Sequence, residues 1–293
     1  MKIIYLPFIL FLINLTTVNA QDTLETKKEI KPEIKYTTAT FKTTRVVNAQ
    51  SVENPQKGVL IFLIQHRFGA LNTGAYNFFG LDQSTIRLGF EYGITKHLAV
   101  GIGRNSHLKT FDGYVKYKIL RQSTGARNMP VSISYYGSAD ITSLTWADQG
   151  VADRNNYFSS RVAYTNQILI ARRFKDLFSL QLMPTLVHKN LVKYGVDKND
   201  IFSLGLAGSI NITKHTALNI EYFFVFPNQM YEQFDNSLSL SFDIETGGHV
   251  FQLVFTNAKA IYDSGYITDT HGKWSAGDIY FGFNISRSFR LSY

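Results

Sequence analysis

The sequence predicts an all-β protein, an antiparallel up-and-down transmembrane β-barrel of about 12 strands. Apolar and polar residues alternate in successive runs of about ten residues. The connectors between these runs are alternately short and long, and the chain ends in an amphipathic run that finishes with an aromatic residue. Charged residues make up 18% of the chain, below the roughly 25% of soluble domains, which agrees with a membrane protein.

The alternation is clear at residues 86–91, where Ile86, Leu88 and Phe90 are interleaved with Arg87, Gly89 and Glu91. Successive side chains of a strand point to opposite faces, so each run has one apolar and one polar face. A soluble β-sandwich would bury the apolar faces between two sheets, whereas a membrane barrel turns them towards lipid. We predict strands near residues 58–69, 83–94, 97–105, 109–121, 130–140, 156–171, 175–189, 200–213, 215–227, 236–245, 248–257 and 277–293.

The connectors favour the barrel, because outer-membrane barrels have short periplasmic turns and longer outer loops. The even-numbered connectors are mostly tight and the odd-numbered ones mostly long, with exceptions at residues 122–129 and 106–108. The longest odd-numbered connectors are residues 141–155 and 258–276. Pro184 lacks a backbone donor and predicts a bulge in its strand. Arg287 interrupts the apolar face of the last strand.

The N-terminal residues predict export. Residues 1–20 have the pattern of a signal peptide, with Lys2, an apolar run over residues 3–15 and a cleavage site after Ala20. That run is shorter than the about 20 apolar residues of a transmembrane helix. We predict a periplasmic tail over residues 21–57 and the barrel over residues 58–293.

The last strand carries Phe289, Leu291 and Tyr293 on one face, with Tyr293 at the end of the chain. A final amphipathic strand with a terminal aromatic residue resembles the signal by which barrels are recognised for insertion into the outer membrane. The expected partners are therefore the barrel-assembly machinery and the lipid bilayer of a lipopolysaccharide-containing outer membrane. The oligomeric state is left open.

Several stretches resemble an uncharacterised family of Gram-negative outer-membrane β-barrels, known as a domain of unknown function. The resemblance spans about residues 40–293, and its motifs lie at residues 41–53, 65–69, 86–95, 110–118, 247–253 and 277–285. It implies a barrel in the outer membrane. It implies no activity, and it assigns no functional residue.

The polar faces predict the lining of the lumen. The residues expected to line it or to bind a solute are Arg67, Arg87, Glu91, Asp112, Lys116, Glu221, Asp243 and Asp278. Twelve strands lie between the roughly eight that fill with side chains and the 16–18 that leave a channel, which predicts a narrow or plugged pore. Val59, Ile61 and Leu63 are too apolar for a watery lumen, and we expect residues 40–52 to pack against them as a plug.

The preferred function is passage or binding of a small solute, with anionic solutes favoured by the net charge of +8. One alternative is a rim-active hydrolase, in which His66 would be a general base beside a rim Ser or Asp, or Arg67 would bind an anion. Another is a structural or partner-docking barrel that uses the loops at residues 141–155 and 258–276. The absence of cysteine excludes thiolate chemistry, and the seven histidines lack metal-ligand spacing. We expect no catalytic residue, no metal or other cofactor, and no nucleic-acid partner.

Overall fold

A computed structural model describes residues 33–149, 156–231 and 234–291. The predicted signal peptide, residues 21–32 of the predicted tail, and Tyr293 lie outside these residues. Twelve antiparallel strands form a closed barrel. They are β1 Val59–Ala70, β2 Ser84–Gly93, β3 Leu98–Asn105, β4 Thr110–Leu120, β5 Ser132–Thr142, β6 Val162–Phe174, β7 Phe178–Lys189, β8 Asp200–Asn211, β9 Thr216–Val225, β10 Leu238–Thr246, β11 His249–Thr256 and β12 Tyr280–Arg290.

Each strand pairs with its neighbours in the chain, and β12 pairs with β1 to close the ring. The predicted fold class and strand number are confirmed. One predicted strand start is wrong. The sixth strand begins at Val162 rather than near residue 156, because Phe158–Arg161 form a 3-10 helix. The last strand begins at Tyr280, after a 3-10 turn at Trp274–Ala276.

The bulge predicted at Pro184 is wrong. Pro184 lies opposite Leu204 in an unbroken register between β7 and β8. Towards β6, the paired residues Gln167–Thr185 and Ile170–Leu182 flank a gap in the ladder. Pro184 lies in this gap, so the backbone N–H that proline lacks is not needed there. The register shifts of the barrel occur at other positions, between β4 and β5 and between β12 and β1.

The two faces of the wall differ as the alternation predicts. Outward-facing apolar side chains such as Leu88 and Ile102 are exposed by 45% and 65%, which is the surface that lipid covers. Inward-facing Arg87 and Glu91 are buried. The inner face of β6 to β9 departs from this pattern, because Leu169, Met183, Phe223 and other apolar residues point inward there.

The barrel has one end with short turns and one with long loops. At the short-turn end, Arg287 is exposed beside the β10–β11 turn, and its guanidinium lies 4.9 Å from the ring centre of Phe289. Its charged group therefore lies at the edge of the apolar surface, where a snorkelling arginine can reach water. The short strands Ile34–Tyr36 and Ser123–Gly125 pair with each other.

The long-loop end contains 3-10 turns at Leu71–Thr73, Ala75–Gly80 and His107–Lys109. Helix α1, Asp263–Thr268, belongs to the connector between β11 and β12. Within the described parts of the chain, no helix combines the length and apolar character needed to cross a membrane.

Candidate functional site: the occupied lumen

The lumen is occupied by residues 40–53, which we call the inner hairpin. Its two arms are bridged at Arg45 and Gln50, and Val46 N donates to Ala49 O at 2.8 Å. Val46, Val47 and Ala49 at the tip have no exposed surface. A stretch that precedes the first barrel strand therefore folds back into the interior of the barrel.

Glu221 on β9 holds the tip of the inner hairpin. Its carboxylate accepts hydrogen bonds from the backbone amides of Val47 at 3.1 Å, Asn48 at 3.1 Å and Ala49 at 2.9 Å. Three successive amides that converge on one group form an anion-binding concavity, and here the anion is part of the protein. This arrangement satisfies the donors of a turn that has little access to water.

Three other strands, β1, β11 and β12, also contact the tip. Arg67 donates to the side-chain oxygens of Asn48 and Asn284, both at 2.9 Å. Asn284 donates in turn to the carbonyl of Val47, and Gln252 donates to the carbonyl of Val46, each at 2.9 Å. Hydrogen bonds from several strands thus fix the tip near the centre of the barrel.

The arms of the inner hairpin are held by two further wall residues. Glu91 on β2 accepts from the Thr44 hydroxyl and lies 3.5 Å from the guanidinium of Arg45. Lys116 on β4 donates to the side chain of Gln50 at 2.8 Å and to the carbonyl of Ser51 at 3.1 Å. Both ionised wall groups are buried, so their partners compensate for the loss of water.

The remaining predicted lumen residues are bonded within the wall or lie elsewhere. Arg87 and Asp112 form a buried bidentate ion pair between β2 and β4, and Asp243 accepts hydrogen bonds from Ser241 and Gln252. The prediction for Asp278 is wrong, because the residue precedes β12 and lies in the outer loop.

The carboxylate of Asp278 braces that loop by accepting hydrogen bonds from the amide of Lys273 and the side chain of Asn72. These two bonds hold the pKa of Asp278 below its usual range. The structure therefore places seven of the eight predicted residues on the inner wall: Arg67, Arg87, Glu91, Asp112, Lys116, Glu221 and Asp243.

A second segment fills the lumen from the long-loop end. Residues 258–270 include helix α1 and are almost entirely buried. The carboxylate of Asp263 accepts hydrogen bonds from the hydroxyls of Tyr136, Ser138 and Tyr266, and Asp140 accepts one from the amide of Ser264 at 3.0 Å. We call residues 258–270 the inner loop.

The inner hairpin and the inner loop meet in one apolar cluster. Val46 and Val47 of the hairpin share it with Tyr266 and Ile267 of the loop, and inward-facing residues of β6 to β9 complete it. The expectation that residues 258–276 form an outer docking loop is therefore wrong for most of that stretch. Its apolar residues, Ile261, Tyr262, Tyr266 and Ile267, were the available signal in the sequence.

The apolar residues of β1 have a different role from the one expected. Val59, Ile61 and Leu63 form their own small cluster, separate from the one that contains the inner hairpin. A cavity of about 470 Å³ at the short-turn end is lined by Val59, Ile61 and Phe41. The hairpin enters the lumen beside this cavity, so the close packing expected on β1 is replaced by open space.

His66 lies on the outer surface. Its ring stacks on Phe283 with centroids 5.1 Å apart and an interplanar angle of 5°, and Phe68 lies 4.4 Å away. Arg67, its neighbour in the chain, points into the lumen. The hypothesis of a rim general base at His66 is therefore wrong, because the imidazole belongs to a lipid-facing aromatic group.

Comparison with known proteins identifies the family. Residues 41–289 match the family model described as a membrane bound beta barrel domain (DUF5777). The chain belongs to this family. Membrane-spanning β-barrels of this kind belong to outer membranes, and we assign the protein to that location. No curated protein matches the chain.

Solved structures similar to the chain include outer-membrane porins and channels. The NanC porin is 9% identical, with 79% of this chain and 100% of that chain covered and a TM-score of 0.49. The Acinetobacter baumannii protein Omp33 is 10% identical, with 78% and 97% covered and a TM-score of 0.42. The COG4313 outer membrane channel from Pseudomonas putida F1 is 10% identical, with 81% and 97% covered and a TM-score of 0.44.

Proposed function

We propose that the protein is a narrow outer-membrane channel or binding barrel for small solutes, closed at rest by the inner hairpin. The observation that carries this proposal is the polar attachment of the hairpin. Its holders on the wall include Arg67, Glu91, Lys116 and Glu221. Once the hairpin leaves, these side chains can be hydrated, and a polar interior suits a water-filled passage.

The net charge of the chain supports a preference for anionic solutes. The net charge of the chain is +8, and Arg67, Arg87 and Lys116 all point into the lumen. Glu91 and Asp112 are each engaged by an arginine in the closed state. The same wall also carries Glu91, Asp112, Glu221 and Asp243, so the preference rests on the positive net charge of the whole chain, which draws anions towards the entrance.

The inner loop makes a second barrier, since it fills the other end of the same lumen. Passage then requires both segments to move. Deleting residues 40–52 should raise the conductance of the protein in planar bilayers by a modest amount. Replacing residues 259–269 with a Gly/Ser linker should do the same, and the two changes together should raise it more than the sum of the separate effects.

The control replaces residues 74–79 with the same linker. This outer stretch carries the exposed side chains of Tyr76 and Phe78 and leaves both inner segments intact, so the conductance should stay at the wild-type value. A change in electrophoretic mobility on heating would show that each variant is folded. If the folded double variant conducts no better than the wild type, the proposal of a channel is wrong.

We further propose that Phe289, Leu291 and Tyr293 form the signal by which the barrel-assembly machinery recognises the chain. Phe289 and Leu291 are exposed by 38% and 62%, which leaves their side chains accessible to a partner or to lipid. The proposal rests on this exposed apolar pair and on the aromatic side chain of Tyr293.

A further inference from the structure

Two cavities at the long-loop end share part of their walls. The larger has a volume of about 280 Å³ and the smaller about 210 Å³. Lys189, Leu191 and Asp269 line both of them. Lys189 is the last residue of β7, and Asp269 belongs to the inner loop, so the pair of cavities lies where the barrel wall meets that loop.

Lys189 differs from the other inward-facing cations of the wall. Arg67, Arg87, Lys116 and Lys118 each have an acceptor or a carboxylate within 4 Å. Among the residues that the structure describes, none accepts a hydrogen bond from Nζ of Lys189 or forms an ion pair with it. A half-buried ammonium beside two cavities is thus available to a ligand that carries negative charge.

The carboxylates nearest to Lys189 are already engaged. Asp197 and Asp269 lie within electrostatic range of its ammonium. Asp197 accepts hydrogen bonds from the backbone amides of Tyr194 and Tyr231, and Asp269 is paired with His271 at 3.1 Å. These bonds keep both carboxylates in place as parts of the loops.

The larger cavity combines positive charge with aromatic surface. Lys198 lines it together with Lys189, Asp197 and Asp269, and the rings of Tyr194 and Phe234 form apolar parts of its wall. Small-molecule sites typically have such a lining and volumes of about 300–1,000 Å³ for drug-sized ligands. At about 280 Å³ the cavity suits a molecule of about one sugar ring.

We propose that this cavity binds a small organic anion, a carboxylate carried on a ring of monosaccharide size, with Lys189 as the residue that binds the carboxylate. The inference deepens the proposed function, since such an anion would be the solute that enters the barrel. Binding itself requires only the closed barrel and can be measured without conductance.

The test is isothermal titration calorimetry of the full-length protein in detergent, with D-glucuronate, D-glucose and inorganic phosphate titrated separately. Wild-type protein should bind glucuronate saturably and more tightly than either glucose or phosphate. The substitution Lys189→Met should weaken glucuronate binding by about tenfold or more, since a charge-assisted hydrogen bond is lost.

The matched control is Lys109→Met, which removes the same charge at the same end of the barrel from a residue that lines neither cavity. It should change the affinity less than twofold. An equal loss in the two variants, equal affinity for phosphate and glucuronate, or no saturable binding to the wild type would each overturn the inference. Saturable binding without conductance in the double variant would leave the site in place and reject only the channel.

Discussion

The carboxylate of Glu221 is the most specific contact of the inner hairpin, and replacing it by an amide should loosen the hairpin. Three backbone amides donate to this carboxylate at 2.9–3.1 Å in a fully buried setting. Hydrogen bonds to charged groups contribute about 1.5–3 kcal/mol each, against about 0.5–1.5 kcal/mol for neutral ones. Glu221→Gln keeps one acceptor oxygen, loses the charge and turns an NH₂ group towards the amides.

The size of the effect follows from these terms. A loss of about 1 kcal/mol at each of three amides gives about 3 kcal/mol, and removing a costly buried charge offsets part of it. We expect a net change of about 2–3 kcal/mol in the free energy of hairpin release. That corresponds to a factor of about 30–150 in the population with the hairpin released.

The assay uses the absence of cysteine from the chain. In Ala49→Cys the only thiol lies at the buried tip of the hairpin, so its rate of reaction with a maleimide reports release. Adding Glu221→Gln should accelerate labelling by about the factor given above. The control Asp140→Asn makes the same change at the inner loop, where Asp140 holds the amide of Ser264, and should leave the rate within a few-fold of the parent.

Unchanged labelling in folded Glu221→Gln would refute the reasoning, because the carboxylate would then not hold the tip. Equal acceleration by Asp140→Asn would show that release depends on the lumen as a whole.

Two further predictions concern the wall and its assembly. Arg87→Met should lower the free energy of unfolding by about 3–5 kcal/mol, because it leaves Asp112 buried without its partner. Arg87→Met combined with Asp112→Leu should recover most of the loss, as measured by urea unfolding in lipid vesicles, and an equal loss in the two proteins would contradict this account. Replacing Phe289 and Leu291 by Ser should slow insertion of the protein into vesicles that contain the assembly machinery. The control Phe202→Ser, at another exposed residue of the outer surface, should slow insertion less. Equal slowing would argue against a terminal signal.

The strand pattern was predictable because side chains alternate strictly along a strand. The same parity placed Arg87 and Glu91 inside, and it also puts His66 and Arg67 on opposite faces of β1. The alternation gives no information at residues 168–170, because Ile, Leu and Ile follow one another there. The inward position of apolar Leu169 was therefore not predictable.

The contents of the lumen were less predictable, because they depend on contacts between distant parts of the chain. Nothing local at residues 47–49 indicates that Glu221 will bind their amides. The burial of residues 258–270 depends on the space that remains after the ring has closed. Asp278 was misplaced because the start of a strand is set by loop hydrogen bonds, which the alternation does not show.

The tip of the inner hairpin has partners far away in the chain. Glu221 follows Val47 by 174 residues, Gln252 follows Val46 by 206, and Asn284 follows Val47 by 237. Bringing such distant groups together is entropically costly until the strands between them are in place. Residues 40–53 precede every strand of the ring in the chain, yet by this argument they take their position only after those strands have paired, so we expect a newly closed ring to be unsealed until the hairpin enters it.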